Sequence, residues 1–194
     1  MEIAGLVLAA GAGQRYGMPK ALVPWQGSLL VERAAAVATE AGLARTIVVV
    51  GAEAARVRAA VPGLAYVDNP AWATGMASSL RAGLAALAGT PAAAAVVLLV
   101  DMPGVTAAAV RRVAALASPA ALAMGGYAGR RSHPVLLGRD HWDGVAAAAT
   151  GDRGARSYLR DHAAEVRVVP VGDVADDTDL DVPGDLGAEV TGRA

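Results

Sequence analysis

The chain has 194 residues with 17 basic and 18 acidic side chains, a formal net charge of -1 and a hydrophobic fraction of 55%. These values suit one globular domain without a basic nucleic-acid-binding surface, and the absence of cysteine excludes disulfides and cysteine-bound metals. The N-terminus lacks the basic segment of a signal peptide, and no apolar run reaches the roughly 20 residues that cross a bilayer. We therefore expect a single cytoplasmic domain over residues 1–194, with neither nucleic acid nor membrane as a partner.

Apolar runs alternate with helical patterns over the first two-thirds of the chain. Residues 3–9, 46–50 and 94–100 are near-continuous runs of Val, Leu, Ile and Ala, typical of strands buried on both faces of a parallel sheet. Helices are predicted from a cap at Ser28 to Gly42, from Gly51 to Pro62, over 76–87, and from a cap at Thr106 to about Leu116. This alternation predicts βαβ units and an α/β fold.

The pattern changes after residue 119. Two apolar stretches, 120–124 and 135–137, flank a glycine-rich segment, which predicts an antiparallel hairpin and therefore a mixed sheet. The rest of the chain predicts helical segments at 139–149 and 155–162, a strand at 166–169, and a last helix with Pro183 in its first turn.

The loop after the first strand is rich in glycine and ends at Lys20, the only lysine of the chain. It lies at the carboxyl end of a predicted strand, where open α/β sheets bind ligands. Tyr16 stands where a dinucleotide fingerprint needs its third glycine, no acidic residue ends the second strand, and Ala21 stands where a P-loop needs Ser or Thr. What remains is a nest of backbone N–H groups with the charges of Arg15 and Lys20, which predicts a triphosphate site.

Two acidic segments are candidates for metal binding. Asp101 directly follows the third buried strand, so its carboxylate is expected at the edge of the sheet beside the loop. Mg²⁺ prefers a few carboxylates together with water and substrate phosphate oxygens, so a second carboxylate from residues 176–185 would complete the protein's share of a site. The three histidines have no ligand spacing.

The glycine-rich loop resembles the signature of nucleotidyltransferases with a MobA-like fold, which include the molybdopterin guanylyl- and cytidylyltransferases. The matching residues are Leu8-Ala9-Ala10-Gly11, Gly13, Arg15, Gly17 and Pro19-Lys20. Later segments look most like the molybdenum-cofactor cytidylyltransferase branch, namely Pro24-Trp25 with Gly27, Asn69-Pro70 with Trp72, Gly75-Met76 with Ser78-Ser79-Leu80, and Asp101-Met102-Pro103. The resemblance covers essentially the whole chain and implies a three-layer, Rossmann-like nucleotidyltransferase fold with a mostly parallel, mixed sheet.

The resemblance also implies a reaction and its site. A nucleoside monophosphate, CMP from CTP, would move to the phosphate of molybdopterin or molybdenum cofactor with release of pyrophosphate and help from Mg²⁺, and the product would reach a molybdoenzyme through a transient contact. CTP is favoured because the guanylyl branch usually has glycine where Ala10 stands. The catalytic residues would be Arg15, Lys20 and Asp101. The metal ligands would be Asp101 and Asp179, with Asp181 as a helix-capping alternative. The nucleotide would contact Leu8, Ala9, Ala10, Gly11, Ala12, Gly13, Arg15, Lys20, Asn69, Gly75, Met76, Ser78 and Ser79.

Residues 151–156 place two arginines at the start of a predicted helix, which suits an anion. By the resemblance this segment and the Pro-Val-Leu segment face the acceptor, through His133, Pro134, Gly151, Arg153, Gly154 and Arg156. Residues 75–79 can also cap a helix, and Trp72 can serve in packing alone. The alternative functions are a sugar- or polyol-phosphate nucleotidyltransferase, a guanylyltransferase using GTP, and a non-enzymatic module that binds and delivers a nucleotide or cofactor.

Overall fold

The computed structural model describes residues 1–181. Its strands are β1 (Glu2–Leu8), β2 (Pro24–Trp25), β3 (Ser28–Leu29), β4 (Arg45–Val50), β5 (Ala65–Asp68), β6 (Ala92–Leu99), β7 (Leu122–Tyr127), β8 (Arg130–Gly138) and β9 (Val166–Pro170). Its α-helices are α1 (Leu30–Glu40), α2 (Ala54–Ala60), α3 (Met76–Ala88), α4 (Ala107–Ala114), α5 (Trp142–Ala148) and α6 (Arg156–Asp161). Short 3₁₀ turns occupy Lys20–Leu22, Trp72–Thr74, Arg139–His141 and Gly151–Arg153.

The main sheet has seven strands in the order β5-β4-β1-β6-β8-β7-β9. The strands β5, β4, β1 and β6 are mutually parallel, β8 is antiparallel to both of its neighbours, and β9 returns parallel to β7. The prediction of an α/β fold with a mixed, mostly parallel sheet is confirmed. A separate two-stranded hairpin pairs β2 with β3.

The core lies on both faces of this sheet. Alternate residues of β1 point to opposite sides, so that Val7 packs with Leu30 and Val110 of the helices on one face, while Leu6 packs with Leu84 and Trp142 on the other. This is the three-layer arrangement that the resemblance implied. It explains why the central strands read as continuous apolar runs, since neither face meets water.

Most predicted elements are present, and the differences from prediction are local. Thr106 caps α4 as expected, its hydroxyl oxygen accepting a hydrogen bond from the N–H of Ala109 at 3.3 Å. The predicted cap at Ser28 is wrong because Ser28 lies in β3, paired with Trp25, and α1 begins one residue later than a cap there would allow. The carboxylate of Glu32 instead accepts the N–H of Leu29 at 2.8 Å.

The predicted helix over 139–149 is a 3₁₀ turn followed by α5, and β5 and the β2–β3 hairpin had not been predicted. The last predicted helix, with Pro183, lies outside the described residues. Within residues 1–181, no helix is long and apolar enough to span a membrane.

Candidate active site

The glycine-rich loop is fastened to the edge of the sheet where β1 ends. The N–H of Ala9 donates to the carbonyl of Val49 at 2.9 Å, and the N–H of Ala52 donates to the carbonyl of Ala10 at 3.0 Å. Both bonds extend the pairing of β1 with β4 beyond the strands themselves. The loop therefore starts from a fixed position at the carboxyl edge of the parallel strands.

Gly13 determines how the loop closes on itself. Its φ is +60°, and a Cβ placed on it would lie 1.9 Å from the carbonyl oxygen of Met18, so only glycine fits. Its own carbonyl accepts the N–H groups of Tyr16 and Gly17 at 2.9 and 2.8 Å. Gly11, in contrast, has no atom within 4 Å of a Cβ built on it and lies open toward the cavity.

Lys20 leaves this loop to meet two carboxylates from distant parts of the chain. Its Nζ donates to Oδ2 of Asp101 and to Oδ1 of Asp181, each at 2.9 Å. Its side chain is 16% exposed, against 26% for Asp101 and 49% for Asp181. The guanidinium of Arg15 lies 3.7 Å from the second oxygen of Asp181 and is well exposed. The predicted catalytic residues Arg15, Lys20 and Asp101 are thus brought together.

The pKa values in this cluster follow from its charges. Burial disfavours the Lys20 ammonium, but the hydrogen bonds and charges of Asp181 and Asp101 outweigh that effect and raise its pKa. The hydrogen bond and charge of Lys20 lower the pKa of Asp181. Asp179 behaves oppositely, because burial and then the negative charges of Asp101 and Asp181 raise its pKa. The cluster therefore combines three carboxylates with one largely buried ammonium and one exposed guanidinium, that of Arg15.

Asp179 and Asp181 were the two candidates for a second metal ligand, and both lie near Asp101. The segment is held there by the N–H of Leu180, which donates to the carbonyl of Asp101 at 2.9 Å. The helix that Asp181 was expected to cap lies outside the described residues. In the described part of the chain, no three acidic or histidine side chains form a ready-made metal-binding group. Any ion here would draw the rest of its ligands from water and substrate, as Mg²⁺ commonly does.

A cavity of about 470 Å³, which we call the nucleotide cavity, opens between the glycine-rich loop, the start of α3 and the Lys20 cluster. Its walls include Leu8, Ala10, Gly11, Ala12, Gly13, Arg15, Lys20, Gly75, Met76 and Ser79, all predicted to contact a nucleotide. Asp101 and Asp181 also line it. Ala9, Asn69 and Ser78, which had the same predicted role, do not line it.

Asn69 and Ser78 instead hold the turn between β5 and α3. Asn69 is only 3% exposed, and its amide nitrogen donates to the hydroxyls of Ser78 and Ser79 at 2.7 and 3.0 Å. Its amide oxygen accepts the N–H of Ala71 at 3.0 Å. The Ser78 hydroxyl in turn lies 2.8 Å from the carbonyl of Gly75. This buried amide determines the position of Ser79, which does reach the cavity wall.

At the end of β4, where a dinucleotide-binding enzyme presents an acidic residue, this chain has Gly51, and Trp72 packs on it. A Cβ built on Gly51 would lie 2.4 Å from the Cβ of Trp72, so the indole side chain packs directly on the Gly51 backbone. Trp72 also lines the nucleotide cavity, so packing and a ligand contact are compatible at this residue.

A second cavity of about 400 Å³, the acceptor cavity, adjoins the first and shares Leu8, Met76, Leu99 and Asp152 with it. Apolar side chains form much of its wall, and four exposed arginines stand around it: Arg131, Arg153, Arg156 and Arg160. Of the residues predicted to contact the acceptor, His133, Arg153, Gly154 and Arg156 line it, and Pro134 and Gly151 do not.

His133 is the titratable side chain most strongly affected by burial in this cavity. Burial, assisted by the positive charge of Arg156 and opposed by Asp101, lowers the pKa of His133 to about 4. The imidazole is therefore neutral at pH 7 and can donate or accept a hydrogen bond without adding charge to the site.

Asp152 was not predicted as a site residue, although it lies within the segment 151–156 that was expected to face the acceptor. Its Oδ1 accepts the N–H of Met76 at 3.2 Å, and it is one of the four residues that line both cavities. The sequence signal was an acidic residue in a short segment bounded by Gly151 and Gly154, both of which have positive φ in the structure.

Comparison with known proteins agrees with this geometry. Residues 5–166 match the family described as the MobA-like NTP transferase domain. The chain belongs to that family. Membership in the MobA-like family makes it an NTP-dependent nucleotidyltransferase, and it leaves the acceptor to be established.

Two curated relatives carry different names. Nicotine blue oxidoreductase of Paenarthrobacter nicotinovorans is 36% identical over 92% of both chains. Molybdenum cofactor guanylyltransferase of Rhodobacter capsulatus is 34% identical over 73% of this chain and 66% of its own length. Neither name is that of a cytidylyltransferase, so the predicted cytidylyltransferase branch of the MobA-like family stays a proposal.

Solved structures give the same fold. Rv0371c from Mycobacterium tuberculosis H37Rv is 30% identical, covers 98% of this chain and 97% of its own, and superposes with a TM-score of 0.81. A complex of Rv0371c with manganese is 31% identical over 93% of this chain and 94% of that one, with a TM-score of 0.76. Mth528, a nucleotidyl transferase from Methanothermobacter, shares the fold at 21% identity and a TM-score of 0.81, covering 96% of this chain and 95% of its own.

Proposed function

We propose that this protein transfers CMP from CTP to the phosphate of molybdopterin, or of its molybdenum-loaded form, and releases pyrophosphate. The observation that carries the proposal is the pair of adjoining cavities. One is lined by the glycine-rich loop and the Lys20 cluster, and the other by apolar side chains and arginines. Two substrates bound in them would meet along the shared wall, beside Asp101.

The mechanism needs no protein nucleophile. An oxygen of the acceptor phosphate attacks the α-phosphorus of CTP, the bond from that phosphorus to the bridging oxygen breaks, and pyrophosphate leaves with the bonding electrons. A phosphate monoester is already ionised at neutral pH, so no base has to remove a proton from it. The protein's contribution is orientation and neutralisation of charge.

Within that mechanism, Arg15 and the loop N–H groups would bind the β- and γ-phosphates and stabilise the departing pyrophosphate. Lys20 lies deeper, with its ammonium fixed between Asp101 and Asp181, and would contact the α-phosphate. The arginines of the acceptor cavity would hold the acceptor phosphate, and neutral His133 would contribute a hydrogen bond there.

A divalent metal ion suits the acidic cluster. Three carboxylates, those of Asp101, Asp179 and Asp181, lie close together around the ammonium of Lys20, with the exposed guanidinium of Arg15 beside Asp181. Oxygen ligands of this kind suit Mg²⁺ or Mn²⁺, and the manganese complex of Rv0371c supports such an ion in a relative. When bound, the ion would neutralise phosphate charge in the transition state. Asp101 and Asp179 are the proposed ligands, with Asp181 as the alternative.

The preference for cytidine rests on Ala10. Its side chain is buried in the wall of the nucleotide cavity, where a methyl group narrows the space available to a base. Thermal denaturation with CTP, GTP, ATP and UTP in the presence of Mg²⁺ tests this preference, since a ligand at 100 times its dissociation constant adds about 2.7 kcal/mol to stability. Stabilisation by GTP alone would refute the choice of CTP.

The choice of a pterin acceptor rests on the wall chemistry of the acceptor cavity. Leu80, Val97, Met124, Val135 and Leu159 offer apolar surface that suits a flat ring system, and the arginines suit an anionic group. A sugar- or polyol-phosphate acceptor would find hydrogen-bonding side chains only on the polar part of this wall and would leave the apolar part unused, so a ring system fits the whole wall better.

Measurement of pyrophosphate release tests whether the protein catalyses nucleotidyl transfer. We expect release from CTP with molybdopterin, and little with inositol phosphate or sugar phosphates. Asp101→Asn and Lys20→Met should each lower the rate by at least about 100-fold, as loss of a group that stabilises transition-state charge does. Arg45→Met, which breaks an exposed ion pair with Glu2, is the matched control and should keep the wild-type rate. Nucleotide binding without pyrophosphate release from any acceptor would favour a delivery module.

A second candidate function comes from the relative named nicotine blue oxidoreductase, which aligns with nearly the whole chain. Against it, the loop departs from the dinucleotide fingerprint at Tyr16, and Trp72 packs on Gly51 where an acidic residue would bind a ribose. Oxidation of NADH or NADPH by the purified protein with a quinone-like acceptor, at a rate unaffected by Asp101→Asn, would favour this function over nucleotidyl transfer.

A further inference from the structure

We propose that Asp152 is a positioning residue that couples the two cavities. Through its hydrogen bond to Met76 it fastens the turn Gly151–Arg153 to the start of α3, so that a nucleotide that orders one side also orders the other. This inference rests on the proposed nucleotide-binding role of the first cavity. It assigns a role to a side chain that was not among the site residues predicted from the sequence.

The hydrogen bond from Met76 to Asp152 lies at the N-terminus of α3, where backbone N–H groups have no acceptor within the helix. The N–H of Met76, the first residue of α3, has no acceptor within its own helix, and Oδ1 of Asp152 lies 3.2 Å from it. A carboxylate at this end also interacts favourably with the helix dipole. Asp152 comes from a turn 76 positions later in the chain, so the cap is a tertiary link rather than a local one.

The two turns approach each other too closely for side chains between them. Gly75 has φ of +108°, and a Cβ built on it would lie 2.6 Å from the carbonyl of Gly151 and 2.7 Å from Oδ1 of Asp152. On the other side of the contact, a Cβ built on Gly154 would lie 3.2 Å from the sulfur of Met76. Movement of either turn must therefore displace the other or break the bond from Asp152.

Each turn serves a different cavity. Gly75 lines only the nucleotide cavity, and Arg153 and Arg156 line only the acceptor cavity, while Asp152 and Met76 line both. A second link lies five residues further along α3, where Arg81 donates to the carbonyl of Ala149 at 2.7 Å. Ordering of the α3 start by a nucleotide is thus transmitted to the arginines that would hold the acceptor, which gives positive coupling between the two ligands.

Hydrogen exchange with a nucleotide alone tests the coupling without any acceptor. The probe is the α,β-methylene analogue of CTP with Mg²⁺, which binds without transfer. In the wild type we expect the analogue to slow exchange at least about 5-fold both in the loop over residues 11–20 and in the segment over 149–156, in line with typical coupling factors. Asp152→Ala should keep the protection of the loop and lose that of residues 149–156.

Two further variants separate coupling from a general loss of structure. Asp152→Asn retains an oxygen that can accept the Met76 N–H and should restore the protection of residues 149–156. Asp140→Ala removes an exposed carboxylate from another 3₁₀ turn and should behave as the wild type. Calorimetric titration of the analogue confirms that each variant binds it.

Three results would overturn the inference. In the first, the analogue binds the wild type and protects residues 11–20 but leaves 149–156 unchanged. In the second, Asp152→Ala keeps the protection of both segments. In the third, Asp152→Asn fails to restore it, which would exclude the hydrogen bond as the link. Absence of analogue binding to the wild type would overturn the proposed function as well, and the titration distinguishes that failure from the other three.

Discussion

Replacing Lys20 by methionine removes the central cation of the site and keeps most of its apolar stem. The ammonium makes two charged hydrogen bonds of 2.9 Å, and hydrogen bonds to charged groups contribute about 1.5–3 kcal/mol each. Because Asp181 is half exposed, its hydrogen bond to Lys20 contributes less than a buried one would. Without the ammonium, the carboxylates of Asp101 and Asp181 repel each other, which destabilises the folded variant further. We expect the free energy of unfolding to fall by about 2–3 kcal/mol without divalent metal, which lowers Tm by roughly 4–12 °C for a chain of this size.

Divalent metal should reverse much of this loss. In the wild type an ion must compete with Lys20 for the carboxylates of Asp101 and Asp181, whereas in Lys20→Met that competitor is removed and the exposed Arg15 stays beside Asp181 at 3.7 Å. Thermal and urea denaturation in EDTA and in millimolar Mn²⁺ should therefore show a larger stabilisation of the variant than of the wild type. Arg45→Met serves as control, because an exposed pair contributes no more than about 1 kcal/mol and lies far from the site.

The pH dependence gives an independent check. Since Lys20 lowers the pKa of Asp181, their interaction contributes its full stability above the ordinary carboxyl pKa of about 4 and loses it as the pH falls below that value. The difference between wild type and Lys20→Met should shrink accordingly in acid. Equal stability of the two proteins in EDTA at pH 7, or equal stabilisation of both by Mn²⁺, would refute the view that Lys20 holds the carboxylates of a metal site.

Three further outcomes follow from the structure. Asn69→Ala should lower the free energy of unfolding by about 2–4 kcal/mol in urea denaturation, because three hydrogen bonds of a buried amide are lost. Gly13→Ala should lower it by at least about 2 kcal/mol, owing to the clash with Met18, whereas Gly11→Ala should change it by less than about 0.5 kcal/mol. Folding lowers the pKa of His133 to about 4, so the unfolded chain binds more protons than the folded one as the pH falls from 7 to 5. Over that range the free energy of unfolding of the wild type should fall by about 1–2 kcal/mol more than that of His133→Gln. Parallel pH profiles of the two proteins would contradict this.

The sheet could be predicted because its central strands are buried on both faces, which leaves a long apolar run in the sequence. β5 gave no such signal. It is a four-residue edge strand whose residues are half-buried or exposed, so its composition does not differ from that of a loop. The sequence also did not indicate that Ser28 lies in a hairpin whose two strands have two residues each. A serine before an apolar helical pattern is a typical N-cap, and that pattern predicted a cap instead.

The site was predictable in part for a geometric reason. Lys20 and Asp101 follow neighbouring parallel strands, so their approach follows from the strand order. Asp181 approaches from 161 positions beyond Lys20, and nothing in the acidic run 176–181 indicates which carboxylate faces inward. Asn69 illustrates the opposite difficulty. A buried amide that organises a turn and an amide that binds a base look the same in sequence, and only the hydrogen bonds distinguish them.

The position of the shared wall follows from the pairing of β1 with β6. Leu8 and Leu99 are partners in that parallel register, and both line both cavities. The glycine-rich loop begins directly after Leu8, and Asp101 lies two residues after Leu99. The loop and the carboxylate of Asp101 therefore follow two adjacent strands at the same edge of the sheet. The side chains of Leu8 and Leu99 cannot hold a water molecule by a hydrogen bond on their side of the α-phosphate, and water is the competitor that would hydrolyse the nucleotide. In the proposed reaction, the same strand register thus brings the two substrates together and disfavours hydrolysis.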